Sequence, residues 1–133
     1  SLQDGVNLVM FAIGNHLGGE IFVPKIPSYK IMDIAEAIAP ECKTRIVGIR
    51  PGEKLHEEMI TESDSLNTID LGPYYAILPS VSYAYEKSDF IAHHKAKPVP
   101  FGFKYNSGEN DEWESIESLR ALIVEHVDSN FKA

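Results

Sequence analysis

Residues Gly18–Pro40 read GGEIFVPKIPSYKIMDIAEAIAP, and the order of residue types in this stretch sets the architecture. Gly18-Gly19 stops the element before it. EIFV, Glu20–Val23, reads as a short strand that runs into the proline-bearing loop PKIPS, Pro24–Ser28. Ser28 is placed to cap a helix whose Ile31, Ile34, Ala35 and Ile38 share one face and which ends at Pro40. Upstream, Leu2, Val6, Val9, Met10, Ile13 and Leu17 recur at helical spacing, so residues 2–17 predict an amphipathic helix capped by Ser1 with Asp4. Downstream, TRIVGI, Thr44–Ile49, is β-branched and reads as a second strand. Helix, strand, helix, strand is an α/β rhythm. It places PKIPS and RPGEK at strand ends, where α/β sheets tend to hold ligands.

Beyond Met59 the pattern weakens. TESDSLNTIDLG, Thr61–Gly72, holds a short helix capped at Ser63. YYAILP, Tyr74–Pro79, reads as a strand with one face of Tyr74-Tyr75 in a core. Residues 80–114 are expected to be irregular, and Ser115 caps a last helix with Ile116, Leu119, Leu122, Ile123 and Val127 inward.

The chain of 133 residues suits one small domain, residues 1–133. A net charge of −8 argues against a nucleic-acid partner, which calls for a basic face. A single cysteine, Cys42, rules out an intrachain disulfide and fits a reducing, cytoplasmic setting. Cys42 follows a helix end, not a helix start, so an activated thiolate is not expected. No run reaches the ~18 apolar residues of a membrane span. The chain opens at Ser1 rather than Met, which is expected of a fragment or processed chain. The Gly-rich dinucleotide fingerprint, the P-loop, G-x-S-x-G and the Tyr-x-x-x-Lys pair are all missing from the sequence.

GIRPGEKLHEEM, Gly48–Met59, carries the densest chemistry. Arg50 offers a planar fork of donors that matches phosphate oxygens in pairs. Pro51-Gly52 forces a tight bend that sets Arg50 and Glu53 on one rim. A carboxylate suits vicinal hydroxyls such as those of a ribose. Two readings fit: a loop for a nucleoside diphosphate, or a solvated turn in which Arg50 and Glu53 pair with each other. Lys25, between two prolines, is either presented rigidly to a ligand or simply exposed. His56 is either a ligand hydrogen-bonder or a packed side chain. His56-Glu57-Glu58 lacks the second histidine of a zinc helix, and adjacent His93-His94 point apart, so no metal site is expected. YNSGENDEW, Tyr105–Trp113, is either a surface turn or a contact loop.

GGEIFVPKIPSYKIMDIAEAIAP, followed by TRIVGIRPGEKLHEEMI, closely resembles the C-terminal part of the inverting UDP-N-acetylglucosamine 4,6-dehydratases of the flagellin-glycosylation, pseudaminic acid type. These are extended short-chain dehydrogenase/reductases, and the resemblance runs through YYAILPS to YNSGENDEW. It implies an α/β substrate-binding part without the main Rossmann half. It also implies a parent lyase in which NADP oxidises C4 of the sugar, water leaves from C6, C5 inverts and the hydride returns to C6. By the same resemblance Arg50 contacts the diphosphate of UDP-GlcNAc and Glu53 the ribose hydroxyls, while Lys25 and His56 fall inside the matching motifs. The nucleotide-binding glycines, the active-site Tyr and Lys and the acidic dehydration residue belong to the absent half. This chain is therefore expected to hold no catalytic residue, bind no NADP by itself and be inactive alone. Its expected partners are the missing Rossmann half and further copies in a homo-oligomer.

Overall fold

The computed structural model describes residues 1–82 and 84–133; Tyr83, one of the tyrosines of the irregular stretch, lies outside them. The chain divides into two compact units. The first comprises Ser1–Lys25 with Glu58–Tyr105, and the second Ile26–Glu57 with Asn106–Ala133.

The first unit opens with α1 (Leu2–Asn15), closed at its start by a capping box in which Ser1 and Asp4 exchange side-chain bonds with each other's backbone. A four-stranded antiparallel sheet follows, in the order β1 (Ile21–Pro24), β4 (Tyr74–Ile77), β3 (Thr68–Asp70), β5 (Lys97–Pro98). Register brings Phe22, Ala76 and Ile69 into one row across three strands. Ala76, Ile69 and Leu78 pack with Phe90 of α3 (Lys87–His94) into the core. Phe90 is fully buried, a burial that contributes roughly 1.5–3 kcal/mol. Phe11 of α1 meets Phe22 edge-on at 5.7 Å and Tyr74 at 4.5 Å. Tyr75, one residue along the strand, points to the other face and contacts Phe103 and Tyr105. A two-stranded pair joins β2 (Glu58–Ile60) to β6 (Tyr105–Asn106), and a 3-10 turn spans Ser63–Asn67.

In the second unit α2 (Ile31–Ile38) packs on α4 (Ile116–His126), with Ala37 and Leu119 buried. Arg120 donates from Nε to the Ala37 carbonyl and from Nη2 to the Glu36 carbonyl, both at 3.2 Å. It thereby satisfies carbonyls that the end of α2 leaves open and sets a cation at the negative end of the helix. Ser115 caps α4 as its sequence indicates.

Mixed helix and sheet is the expected class, but four local readings change. TRIVGI forms no strand: residues 44–49 are exposed, and no backbone–backbone hydrogen bond engages them among the described residues. Without a neighbouring strand, β propensity has nothing to act on. Ser28 does not cap α2, whose N-cap is Lys30; Ser28 is buried and bridges to Trp113 instead. The stretch expected to be irregular contains α3, closed by a capping box of Glu86 with Asp89. Ser63 is the first residue of its short helix and not its cap, since the N-cap is Glu62. On α1, Val6, Val9, Met10 and Ile13 are exposed while Leu8, Phe11 and Ala12 are partly covered.

Candidate functional site

The Arg50–Glu53 turn is built from four consecutive residues. The Glu53 N–H donates to the Arg50 carbonyl at 3.0 Å, and Gly52 sits at φ +86°. Proline second and a positive-φ glycine third is the pattern of a type II turn. The bend does put Arg50 and Glu53 on one rim, as their spacing indicates. There they pair: the Glu53 carboxylate accepts from the Arg50 backbone N–H at 2.6 Å and from Nε at 2.7 Å, with Nη2 at 2.6 Å. These bonds, the backbone one foremost, hold Glu53 below the usual carboxylate range. The Arg50 side chain is nonetheless 85% exposed. Glu53 thus fixes one edge of a guanidinium fork whose body stands in solvent, an arrangement that suits an oxyanion arriving from outside.

His56 follows the turn and lies against the loop of residues 106–113. A Cβ placed on Gly108 would come within 2.7 Å of His56 Cγ and 2.8 Å of Nδ1, so the ring occupies the space that only glycine leaves. Beside it the chains are tied twice: Glu57 N–H donates to Ser107 Oγ at 3.0 Å and Ser107 N–H to the Glu57 carbonyl at 2.8 Å. Asn106 Oδ1 accepts from the Gly108 and Glu109 amides and shapes the bend. Asn110 Nδ2 donates to the Ile26 carbonyl at 2.7 Å and to Ser28 Oγ at 3.1 Å. Ser28 exchanges backbone bonds with Glu112 and Glu114, and Trp113 Nε1 donates to the Asn110 carbonyl. Sequence reasoning missed these roles of Asn106, Gly108 and Asn110. Their only signal was an Asn-, Gly- and Ser-rich composition, which marks a turn without saying what it touches.

Lys25 belongs to the first unit, whereas Arg50, Glu53 and His56 belong to the second. Its ammonium pairs with Asp70 at 2.7 Å and stands 4.4 Å from the centre of the Tyr75 ring. Burial pushes the Tyr75 phenol up, and the Lys25 charge partly offsets it. Near the end of α1, burial raises Glu20. The nearby Tyr85 phenol and bonds from the Gly18 and Leu17 amides outweigh that and bring it below its usual range. His94 packs on Phe90 at 4.3 Å and is pushed down by burial and by neighbouring His93. An open cleft of about 540 Å³ in the first unit is lined by Glu58, Glu62, Phe101 and Lys104 among others. Among the described residues no three His, Cys, Asp or Glu side chains cluster as metal ligands, and no helix is long and apolar enough to cross a membrane.

Comparison with known proteins adds to this geometry. The family described as polysaccharide biosynthesis protein matches residues 1–79. The UDP-N-acetylglucosamine 4,6-dehydratase (inverting) of Campylobacter jejuni is 45% identical over 126 residues, which cover 92% of this chain and 38% of that protein. The similarity falls in the C-terminal region of that dehydratase. A UDP-glucose 4-epimerase of Rickettsia canadensis is 40% identical over 81 residues, covering 58% of this chain and 24% of that one. Among solved structures, the X-ray structure of Pen from Bacillus thuringiensis matches with a TM-score of 0.72 at 29% identity, over 93% of this chain and 36% of that one. The chain therefore spans well under half the length of the relatives it matches.

Proposed function

This chain belongs to the polysaccharide biosynthesis protein family, and on that premise we propose that it is the UDP-sugar-binding part of an inverting UDP-GlcNAc 4,6-dehydratase. The observation that carries the reading is the Arg50–Glu53 turn: an exposed guanidinium, oriented by a carboxylate, in a chain whose relatives are named for UDP-linked sugars. Arg50 takes the diphosphate as a bidentate donor. Glu53, released from part of its pairing, accepts from the ribose hydroxyls. Lys25 and His56 are secondary members, inside the matching motifs but each already engaged within the protein.

Firm hold on the nucleotide end aims the sugar at the reacting groups, which is a positioning contribution. NADP, when bound to the whole enzyme, supplies hydride removal and return. The residues of this chain do not fit that cofactor, since the Gly-rich turn that cradles its pyrophosphate is not in the sequence. Hydride and proton handling therefore fall to the remaining length of the parent, a cytoplasmic homo-oligomer of the pseudaminic acid type. The outward apolar face of α1, Val6, Val9, Met10 and Ile13, suits burial by that remainder.

Calorimetry of the 133-residue chain with UDP tests the reading. Binding that Arg50→Ala abolishes is expected, together with no 4-keto sugar when NADP and UDP-GlcNAc are supplied. Equal affinity in the wild type and Arg50→Ala, or turnover by this chain alone, overturns it.

A further inference from the structure

We propose that His56 and the loop of residues 106–113 form a brace that holds the Arg50–Glu53 turn in its binding geometry, with His56 as a positioning residue rather than a ligand contact. The inference rests on the reading of that turn as the nucleotide clamp, and its geometry lies within the second unit alone.

Three residues separate Gly52 from His56, and that span is exposed. Nothing in residues 43–49, on the other side of the turn, is anchored by backbone–backbone hydrogen bonds among the described residues. The turn is thus held from its C-terminal side. There the ring of His56 fills the space above Gly108, and Glu57 and Ser107 lock the two chains with bonds of 3.0 and 2.8 Å. The far end of the loop is in turn moored by Asn110 on Ile26 and Ser28, inside the PKIPS segment. One loop therefore fixes both loops that the sequence marks as ligand-bearing, and its Asn/Gly/Ser composition acquires a purpose. Gly108 has no positive φ, so its backbone is open to alanine. The three atoms nearest to where its Cβ would stand all belong to the His56 ring. Overpacking of this kind is destabilising unless the ring moves away.

The test is a mutant cycle of Gly108→Ala, His56→Ala and the double variant, read by amide exchange at Glu53 and Ser107 and by UDP calorimetry on the same proteins. Gly108→Ala is expected to speed exchange at both amides and to weaken UDP about tenfold, the equivalent of about 1.4 kcal/mol. His56→Ala is expected to do the same, because it removes the ring, and the double variant to be no worse than His56→Ala, because the added Cβ then meets no ring. That non-additivity separates displacement of the ring from general damage. Unchanged exchange in Gly108→Ala or in His56→Ala, or a double variant in which the two losses sum, overturns the brace. So does UDP affinity that stays constant while exchange changes. If the wild-type chain binds no UDP, the clamp reading fails, and the exchange cycle alone then decides whether His56 and Gly108 hold the turn.

Discussion

Gly52→Ala isolates the turn from everything else in the protein. Gly52 lies at φ +86°, and nothing stands within 4 Å of where its Cβ would be, so the cost is conformational and not a clash. An L-residue held in the left-handed region loses about 1–2 kcal/mol. That lowers the closed-to-open ratio of the turn by a factor of about 5–30. The closed form is what brings the Glu53 carboxylate to the Arg50 amide at 2.6 Å and to Nε at 2.7 Å. Those bonds depress its titration, so opening the turn lets Glu53 rise toward its ordinary value of 4.5. Carbon-detected NMR titration of the Glu53 carboxyl in both proteins measures this directly. Residues 50–52 are exposed, so the melting temperature should hold while the titration moves. A Glu53 that still titrates as low in Gly52→Ala as in the wild type would refute the argument that the bend creates the pair.

Three further outcomes are expected. Phe90→Ala empties the centre of the first unit's core, where Phe90 is fully buried, and should cost about 3–5 kcal/mol in urea denaturation; a loss below about 1 kcal/mol would contradict the assigned core. His94 is held below its ordinary value of 6.5 by burial and by His93, against the opposing pull of the Asn15 backbone and the Glu20 charge. Its neutral form is therefore the one the fold prefers, so its contribution is complete above about pH 6.5 and is lost as pH falls through the depressed folded value. Melting followed from about pH 7.5 to 5 should fall further in the wild type than in His94→Gln, and parallel curves would exclude His94. Arg120→Ala removes two donors from the end of α2 and should cost about 1 kcal/mol. Arg120→Lys should recover little, because an ammonium cannot span both carbonyls as the fork does; exchange rates of the α2 amides report both.

The legible parts of the sequence were those decided locally. Ser1 with Asp4 and Ser115 announce two helix starts, and Pro51-Gly52 announces the bend that the structure contains. EIFV and YYAILP appear as β1 and β4, because their neighbours in the sheet reward the same extended residues. What failed needed knowledge of distant partners. TRIVGI has the composition of a strand but no strand beside it. The α1 period leaves open which side is covered, since both faces of that helix are apolar, and contact with Phe22 and Tyr74 selects the side of Phe11. α3 was hidden because its hydrophobic pattern is weak; one residue, Phe90, anchors it. At the candidate site, the pairing of Arg50 with Glu53 across Pro51-Gly52 was legible from their spacing. Gly108 was not, because its significance lies in a ring that is far away in sequence.

The bare segment from Lys43 to Ile49 has a consequence for how this chain behaves in concentrated solution. Ile46 is 95% exposed and Val47 78%, on backbone that pairs with nothing among the described residues. Such a stretch is a template for intermolecular cross-strand stacking. Two features oppose it. Lys43, Arg45 and Arg50 set like charges along the run, so identical copies laid in register repel one another. Gly48, at φ +83°, breaks the extended line before Ile49. The basic residues of this loop, Arg50 of the proposed clamp among them, thus act as gatekeepers against self-assembly, and a variant that removes them for the sake of ligand studies would lose solubility along with charge.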